Sequence, residues 1–114
     1  MSDDDILKEF RKRRERGSEA VLNRDSLSIK RFIALDERAY DDGAIPKKYK
    51  ELMGLAASMV LRCDDCVLYH LDRCLELGAS EEEFNEAFNI ALIVGGSIVI
   101  PVLRLACETL EKKL

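Results

Sequence analysis

Apolar residues recur along this chain at spacings of three and four, the period of a helix, and no stretch sustains the alternation of a strand. The first periodic segment, residues 3–16, runs from acids in "DDD" to bases in "RKRRER", the order that complements a helix dipole. Ser2 is its candidate cap, Gly17 its expected end, and Ile6, Leu7 and Phe10 form one narrow apolar stripe. A second helix is read over residues 28–40, with Ile29, Phe32, Ile33 and Leu35 as its apolar positions, until "DDGAIP" breaks the pattern. Pro46 opens a third, residues 47–61, whose sequence "KKYKELMGLAASMVL" is apolar almost all round, as expected of a central helix enclosed by others. The segment "CVLYHLDRCLELG" follows with Gly78 as its cap, and Ser80 to Glu83 has capping-box spacing for the next helix. Gly95 and Gly96 divide the remainder into two helices, Ser97 capping the second and Pro101 lying near its start. The expected class is all-α, with about six helices in one domain over residues 1–114. Its core covers about 28–112, behind the N-terminal helix.

Composition narrows the function classes. A hydrophobic content of 47% with 35% charged residues fits a folded chain, and the acidic "MSDDDILKEF" start shows no export signal, so the cytoplasm is expected. The longest apolar run, "IALIVGGSIVIPVL" (Ile90 to Leu103), is too short to span a membrane and is read as core or subunit interface. A net charge of −4 argues against general nucleic-acid binding. The basic run Arg11 to Arg16 is read as a solvated helix face.

In a reducing compartment the four cysteines point to catalysis, metal binding or burial rather than to a disulfide framework. "RCDDCVLYH", Arg62 to His70, holds two of them and the only histidine. Three- and four-residue spacing puts Cys63 beside Cys66 and His70 one turn beyond, all facing one way on a helix. A thiol at a helix N-terminus is stabilised as thiolate, and a histidine can take its proton, so nucleophile, base and second thiol are all present for redox chemistry. Adding Cys74 makes a zinc-like set on paper. On a continuous helix, however, Cys63 and Cys74 lie roughly 16 Å apart along the axis, and zinc ligands must converge to within about 4 Å of each other. A metal would need Cys107 or carboxylates from another helix. Cys74 and Cys107 sit among apolar neighbours and read as core residues. Asp64 and Asp65 oppose thiol activation by repulsion, or serve as helix-capping acids.

From about Lys47 to Leu105 the chain resembles the carboxymuconolactone decarboxylase superfamily, and within it the alkylhydroperoxidase AhpD-like branch. The residues that carry the likeness are "KELMGLAASMVLRCDDCVLYHLDRCLELGASEEEFNEAFNIALIVGG": the apolar helix, CxxCxxxH, the "LELGAS" step and the glycine pair. The resemblance implies a helical bundle assembling as homo-trimers or homo-hexamers, and a thiol-dependent peroxidase or disulfide oxidoreductase with no cofactor or metal. It implies that Cys66 attacks a small peroxide or disulfide, that Cys63 resolves the intermediate as a Cys63–Cys66 disulfide, and that a thiol or lipoyl-type donor reduces it. It also implies a proton relay of His70 with Glu51. These two are equidistant from a point between Val60 and Leu61, so an antiparallel hairpin turning there would set them opposite each other, although neither Gly nor Pro marks such a turn. The chain departs from the branch at Asp65, where a histidine is usual; Asp65 is the candidate substitute in the relay. The alternatives are lactone decarboxylation, which has no use for a cysteine pair, and a non-catalytic assembly module built on the Ile90 to Leu103 run.

Overall fold

The computed structural model describes residues 5–111 and 113–114. Six α-helices follow one another, α1 (Ile6–Leu22), α2 (Leu27–Ala39), α3 (Lys47–Leu61), α4 (Asp64–Glu76), α5 (Glu81–Gly95) and α6 (Ile100–Leu110), with a 3-10 turn at Ser97–Val99 before α6. The class is all-α.

The antiparallel pair α3 and α4 forms the centre, with α5 against α3, and α6 and α1 against α4. Leu55 and Met59 of α3, Val67, Leu68 and Leu71 of α4, Phe84 and Phe88 of α5, and Val102 and Ala106 of α6 fill the space between them. Leu7 and Phe10 of α1 complete that core, and both belong to the stripe read from the sequence. No residue of α2 is buried. Met53 and Leu61 are exposed, so α3 is less enclosed than its composition promised.

Three helix ends differ from the sequence reading. Ser2 lies outside the described residues, and α1 is capped by Asp5, whose Oδ1 accepts from the Leu7 and Lys8 amides at 3.1 and 3.3 Å. Gly17 does not end α1, which continues to Leu22. A lone glycine on an exposed face costs a helix only about 1 kcal/mol, and "SEAVL" beyond it propagates the helix. Ser97 does not cap α6: it lies in the 3-10 turn, and α6 starts after Val99 with no side-chain cap. The break falls at Gly96, whose φ of +81° and ψ of −167° lie in a region reserved to glycine. Elsewhere the cues hold. Ser80 and Glu83 close a reciprocal capping box at 3.1 and 2.9 Å, and Gly78, at φ +80°, terminates α4.

Candidate functional site

The site is made by the turn between α3 and α4. Arg62 adopts a left-handed conformation, φ +58°, so that its own amide donates to the Met59 carbonyl at 3.0 Å and the Cys63 amide to Ser58 at 3.1 Å. These two bonds satisfy carbonyls that the end of α3 would leave bare. Cys63 then serves as N-cap of α4: its backbone is extended, and its Sγ accepts from the Cys66 amide at 3.3 Å. Cys63 and Cys66, with Cα atoms 5.2 Å apart, are joined as a disulfide. Cys66 faces solvent and Cys63 is half-buried. At the N-cap, Cys63 has the better sulfur for carrying negative charge once the bond opens, since the Cys66 amide N–H and the positive end of α4 point at it.

One helical turn on, His70 reaches across to α3. Its Nδ1 lies 2.7 Å from Glu51 Oε1, and the two side chains are only 12% and 2% exposed. The antiparallel hairpin thus sets Glu51 and His70 opposite each other, but it turns at Arg62 and Cys63, beyond the point between Val60 and Leu61 from which the two are equidistant in sequence. Glu51, accepting at Nδ1–H, leaves Nε2 as the outward nitrogen, and the Tyr40 hydroxyl at the end of α2 stands 3.5 Å from it. Burial pushes the Tyr40 phenol up, and the Glu51 charge adds to the shift. Gly54 supplies the floor: a β-carbon there would stand 2.8–2.9 Å from the ring atoms of His70. Tyr69 closes the other side, edge-on to His70 with centroids 5.1 Å apart.

Asp65 does not join the Glu51–His70 pair. It lies in the first turn of α4, where a carboxylate complements the dipole, and accepts from Arg13 at 2.8 Å. The basic run of α1 is therefore more than a solvated face. Arg11 holds buried Asp72 through two hydrogen bonds of 2.9 and 2.6 Å, Arg13 holds Asp65, and Arg14 lies over the Tyr69 ring, 4.2 Å from its centroid. The bond to Asp72 is also the main reason the Arg11 guanidinium is held above its ordinary range.

Of the other two cysteines, Cys74 is fully buried, and burial, with the Glu51 charge behind it, pushes its thiol up to about 12. Cys107 corrects the sequence reading: it is exposed on α6, not in the core. Among the described residues no three His, Cys, Asp or Glu side chains converge as metal ligands. Sequence reasoning missed Tyr40, Gly54 and Arg13. An isolated glycine amid good helix formers is a signal of close packing; for Tyr40, beyond the end of α2, the sequence holds no comparable sign.

The chain has known relatives. The model of the carboxymuconolactone decarboxylase family matches residues 28–108. An uncharacterised protein of Cupriavidus necator is 35% identical over 65 residues, 57% of this chain and 58% of its own. An uncharacterised protein from the cox locus of Paracoccus denitrificans is 33% identical over 60 residues, 53% and 54% of the two chains. The chain thus matches little more than half the length of these curated relatives. Among solved structures, TM1620 of Thermotoga maritima superposes with a TM-score of 0.89 at 56% identity, covering 92% of both chains. The Legionella pneumophila protein lpg0406, of the carboxymuconolactone decarboxylase family, superposes with 0.86 at 26% identity over 96% and 97%. A second structure of the Thermotoga protein describes it as a member of that family with a suggested part in the antioxidative response. With the family's pattern matched over residues 28–108 and the fold shared over 92–96% of the chain with its solved members, this chain belongs to the carboxymuconolactone decarboxylase family.

Proposed function

We propose that the protein is a thiol-dependent oxidoreductase of the AhpD-like branch, cycling Cys63 and Cys66 between dithiol and disulfide at the expense of a peroxide or a small disulfide. The carrying observation is that a cysteine pair at the N-terminus of α4 shares one tight hairpin with a buried His70–Glu51 pair. In the reduced protein His70 takes the Cys66 thiol proton, and Glu51 stabilises the imidazolium through Nδ1–H. The Cys66 thiolate attacks the peroxide: a sulfur–oxygen bond forms, the oxygen–oxygen bond breaks, and the departing alkoxide takes from solvent the proton that Cys63 gave up on ionising, to leave as alcohol. Cys63, held as thiolate at the N-cap, displaces hydroxide from the Cys66 sulfenic acid, and the hydroxide leaves as water with the proton from His70. A dithiol donor of lipoyl type then attacks exposed Cys66, Cys63 leaves as a stabilised thiolate, and the donor's second thiol frees Cys66. The sum is one peroxide and one dithiol converted to alcohol, water and one disulfide. A reducing cytoplasm suits such a cycle.

The antioxidative role suggested for the Thermotoga relative supports this reading. Its test is peroxide consumption with dihydrolipoamide as donor. Wild type turns over; Cys66→Ser consumes none; Cys63→Ser reacts once and stops at the sulfenic acid. Equal turnover by all three proteins would overturn it, and lactone turnover that survives Cys66→Ser would move the reading to decarboxylase chemistry.

The same reading includes self-assembly as a homo-trimer or homo-hexamer. Apolar Leu27, Phe32 and Leu35 on α2 and Ile90, Ile93 and Val94 on α5 are exposed in one protomer, more apolar surface than an isolated chain commonly shows to water.

A further inference from the structure

Both nitrogens of His70 are engaged, Nδ1 by Glu51 at 2.7 Å and Nε2 by the Tyr40 hydroxyl at 3.5 Å. A proton from the cysteine pair has to arrive at Nε2, because Nδ1–H is committed to a carboxylate buried inside the hairpin. The position of the phenol is fixed from outside the ring. Lys50, next to Glu51 on α3, donates to the carbonyls of Ala39 at 3.1 Å and Asp41 at 2.7 Å, the residues on either side of Tyr40. Asp42 in the same connection accepts from the Lys47 amide at 2.7 Å. No residue of α2 is itself buried, yet these bonds clamp its C-terminal end to α3. The tyrosine ring lies against the imidazole, centroids 5.4 Å apart.

From this arrangement we infer that Tyr40 is the third member of the relay, passing the Cys66 proton to His70 through its hydroxyl; the inference rests on the relay proposed above. The phenol gives its own proton to Nε2 and receives the thiol's in return. One proton moves from sulfur to nitrogen, leaving a thiolate, an imidazolium whose Nε2–H donates to the phenol oxygen, and an unchanged phenol. The hydroxyl favours the charged state, because a hydrogen bond to an imidazolium is stronger than one to a neutral ring. Being held above its ordinary range, the phenol remains protonated and able to serve as donor wherever the pair works. A hydroxyl here supplies what the branch's histidine between the cysteines would supply, while Asp65 is turned to Arg13. Among the described residues, the titratable groups in contact with His70 are Glu51 from α3, Tyr40 at the end of α2 and Tyr69 from α4; behind them stand Lys50 beside Glu51, Asp36 acting on Tyr40, Cys74 under the Glu51 charge and Arg14 of α1 over Tyr69, with Cys66 one turn back on α4.

The test uses the full chain, reduced, with iodoacetamide as the probe. Carbamidomethylation of Cys66 is followed by peptide mass mapping between pH 6 and 9 in wild type, Tyr40→Phe, His70→Gln and the double variant. Tyr40→Phe keeps the ring and removes only the hydroxyl. It is expected to slow Cys66 roughly fivefold at pH 7 and move the profile to higher pH, with no further loss in the His70→Gln background. Lys50→Met, which leaves the phenol intact but unpins it, should slow Cys66 in the same direction. His70 is the only histidine, so its ring-nitrogen NMR signals give a readout besides reactivity: Tyr40→Phe should move Nε2 and leave Nδ1. A wild-type rate in Tyr40→Phe alongside a slow His70→Gln would overturn the role of Tyr40 and spare the relay. So would losses that multiply in the double variant, or an unmoved Nε2 signal. A wild-type rate in His70→Gln would overturn the relay and Tyr40 with it.

Discussion

A β-carbon at Gly54 would meet Cε1, Nδ1 and Nε2 of His70 at 2.8–2.9 Å, inside any tolerable contact, so the imidazole can lie on α3 only because residue 54 has no side chain. Gly54→Ala adds about 1 kcal/mol of helix propensity against about 1–3 kcal/mol for forcing the ring away. The melting temperature should stay level or fall, and Cys66 alkylation should drop to the His70→Gln rate. An unchanged rate would show that the ring needs no such floor. The sequence displayed this glycine plainly enough as an interruption of a helix, but the neighbour it makes room for lies sixteen positions on, and only the hairpin brings the two together. Cys74 belongs to the same scale. Its thiol is raised to about 12 in the folded protein. Between pH 9 and 12 the unfolded chain therefore gives up a proton that the folded one keeps. Stability is fully present below the unfolded value and is lost as pH rises, at up to about 1.4 kcal/mol per pH unit. Urea unfolding at pH 8 and 10 should show wild type losing roughly 1 kcal/mol more than Cys74→Ala.

Between elements, the α3–α4 turn and the docking of α1 decide where the cysteines stand. The turn was the least legible part of the fold. Arg62 fills a left-handed position that glycine usually takes, and nothing in an arginine announces that conformation. The capping box at Ser80 and the glycine at 78 were legible because their side-chain chemistry, or its absence, is local. The basic run of α1 was legible as charge but not as contact, since its partners Asp65 and Asp72 lie more than fifty residues away. Two substitutions separate its roles. Arg11→Ala leaves the buried Asp72 carboxylate without its guanidinium. After allowance for the half-exposed arginine, it should cost about 1–2 kcal/mol in thermal or urea unfolding. Arg13 and Asp65 are 54% and 66% exposed, so Arg13→Ala should change stability by well under about 1 kcal/mol. It should nevertheless slow Cys66 alkylation a few-fold at low salt, because the Asp65 charge then repels the thiolate, and the difference should fade in 1 M salt. A rate indifferent to Arg13 at every ionic strength would remove that pair from the chemistry.

At the scale of the molecule, the radius of gyration of 14.7 Å exceeds the value of about 13 Å for a compact chain of this length. The excess fits an α2 that packs little on its own protomer and leaves Phe32 70% exposed, with Ile93 of α5 at 83%. Periodicity marked α2 as amphipathic but does not say whether the apolar stripe faces its own chain or another. Ile93→Asp should therefore lower the mass seen by analytical ultracentrifugation to that of the monomer; a wild-type protein already monomeric at micromolar concentration would contradict the assembly. The chemistry itself depends on one pair of sulfur atoms. The most direct measurement is a count of reactive thiols, with peptide mass mapping, before and after one equivalent of hydrogen peroxide is added to the reduced protein. Two thiols are expected to disappear together, and the linked peptides to be those of Cys63 and Cys66, with Cys74 still a thiol. Retention of all four thiols, or a crosslink that omits Cys63 or Cys66, would contradict it.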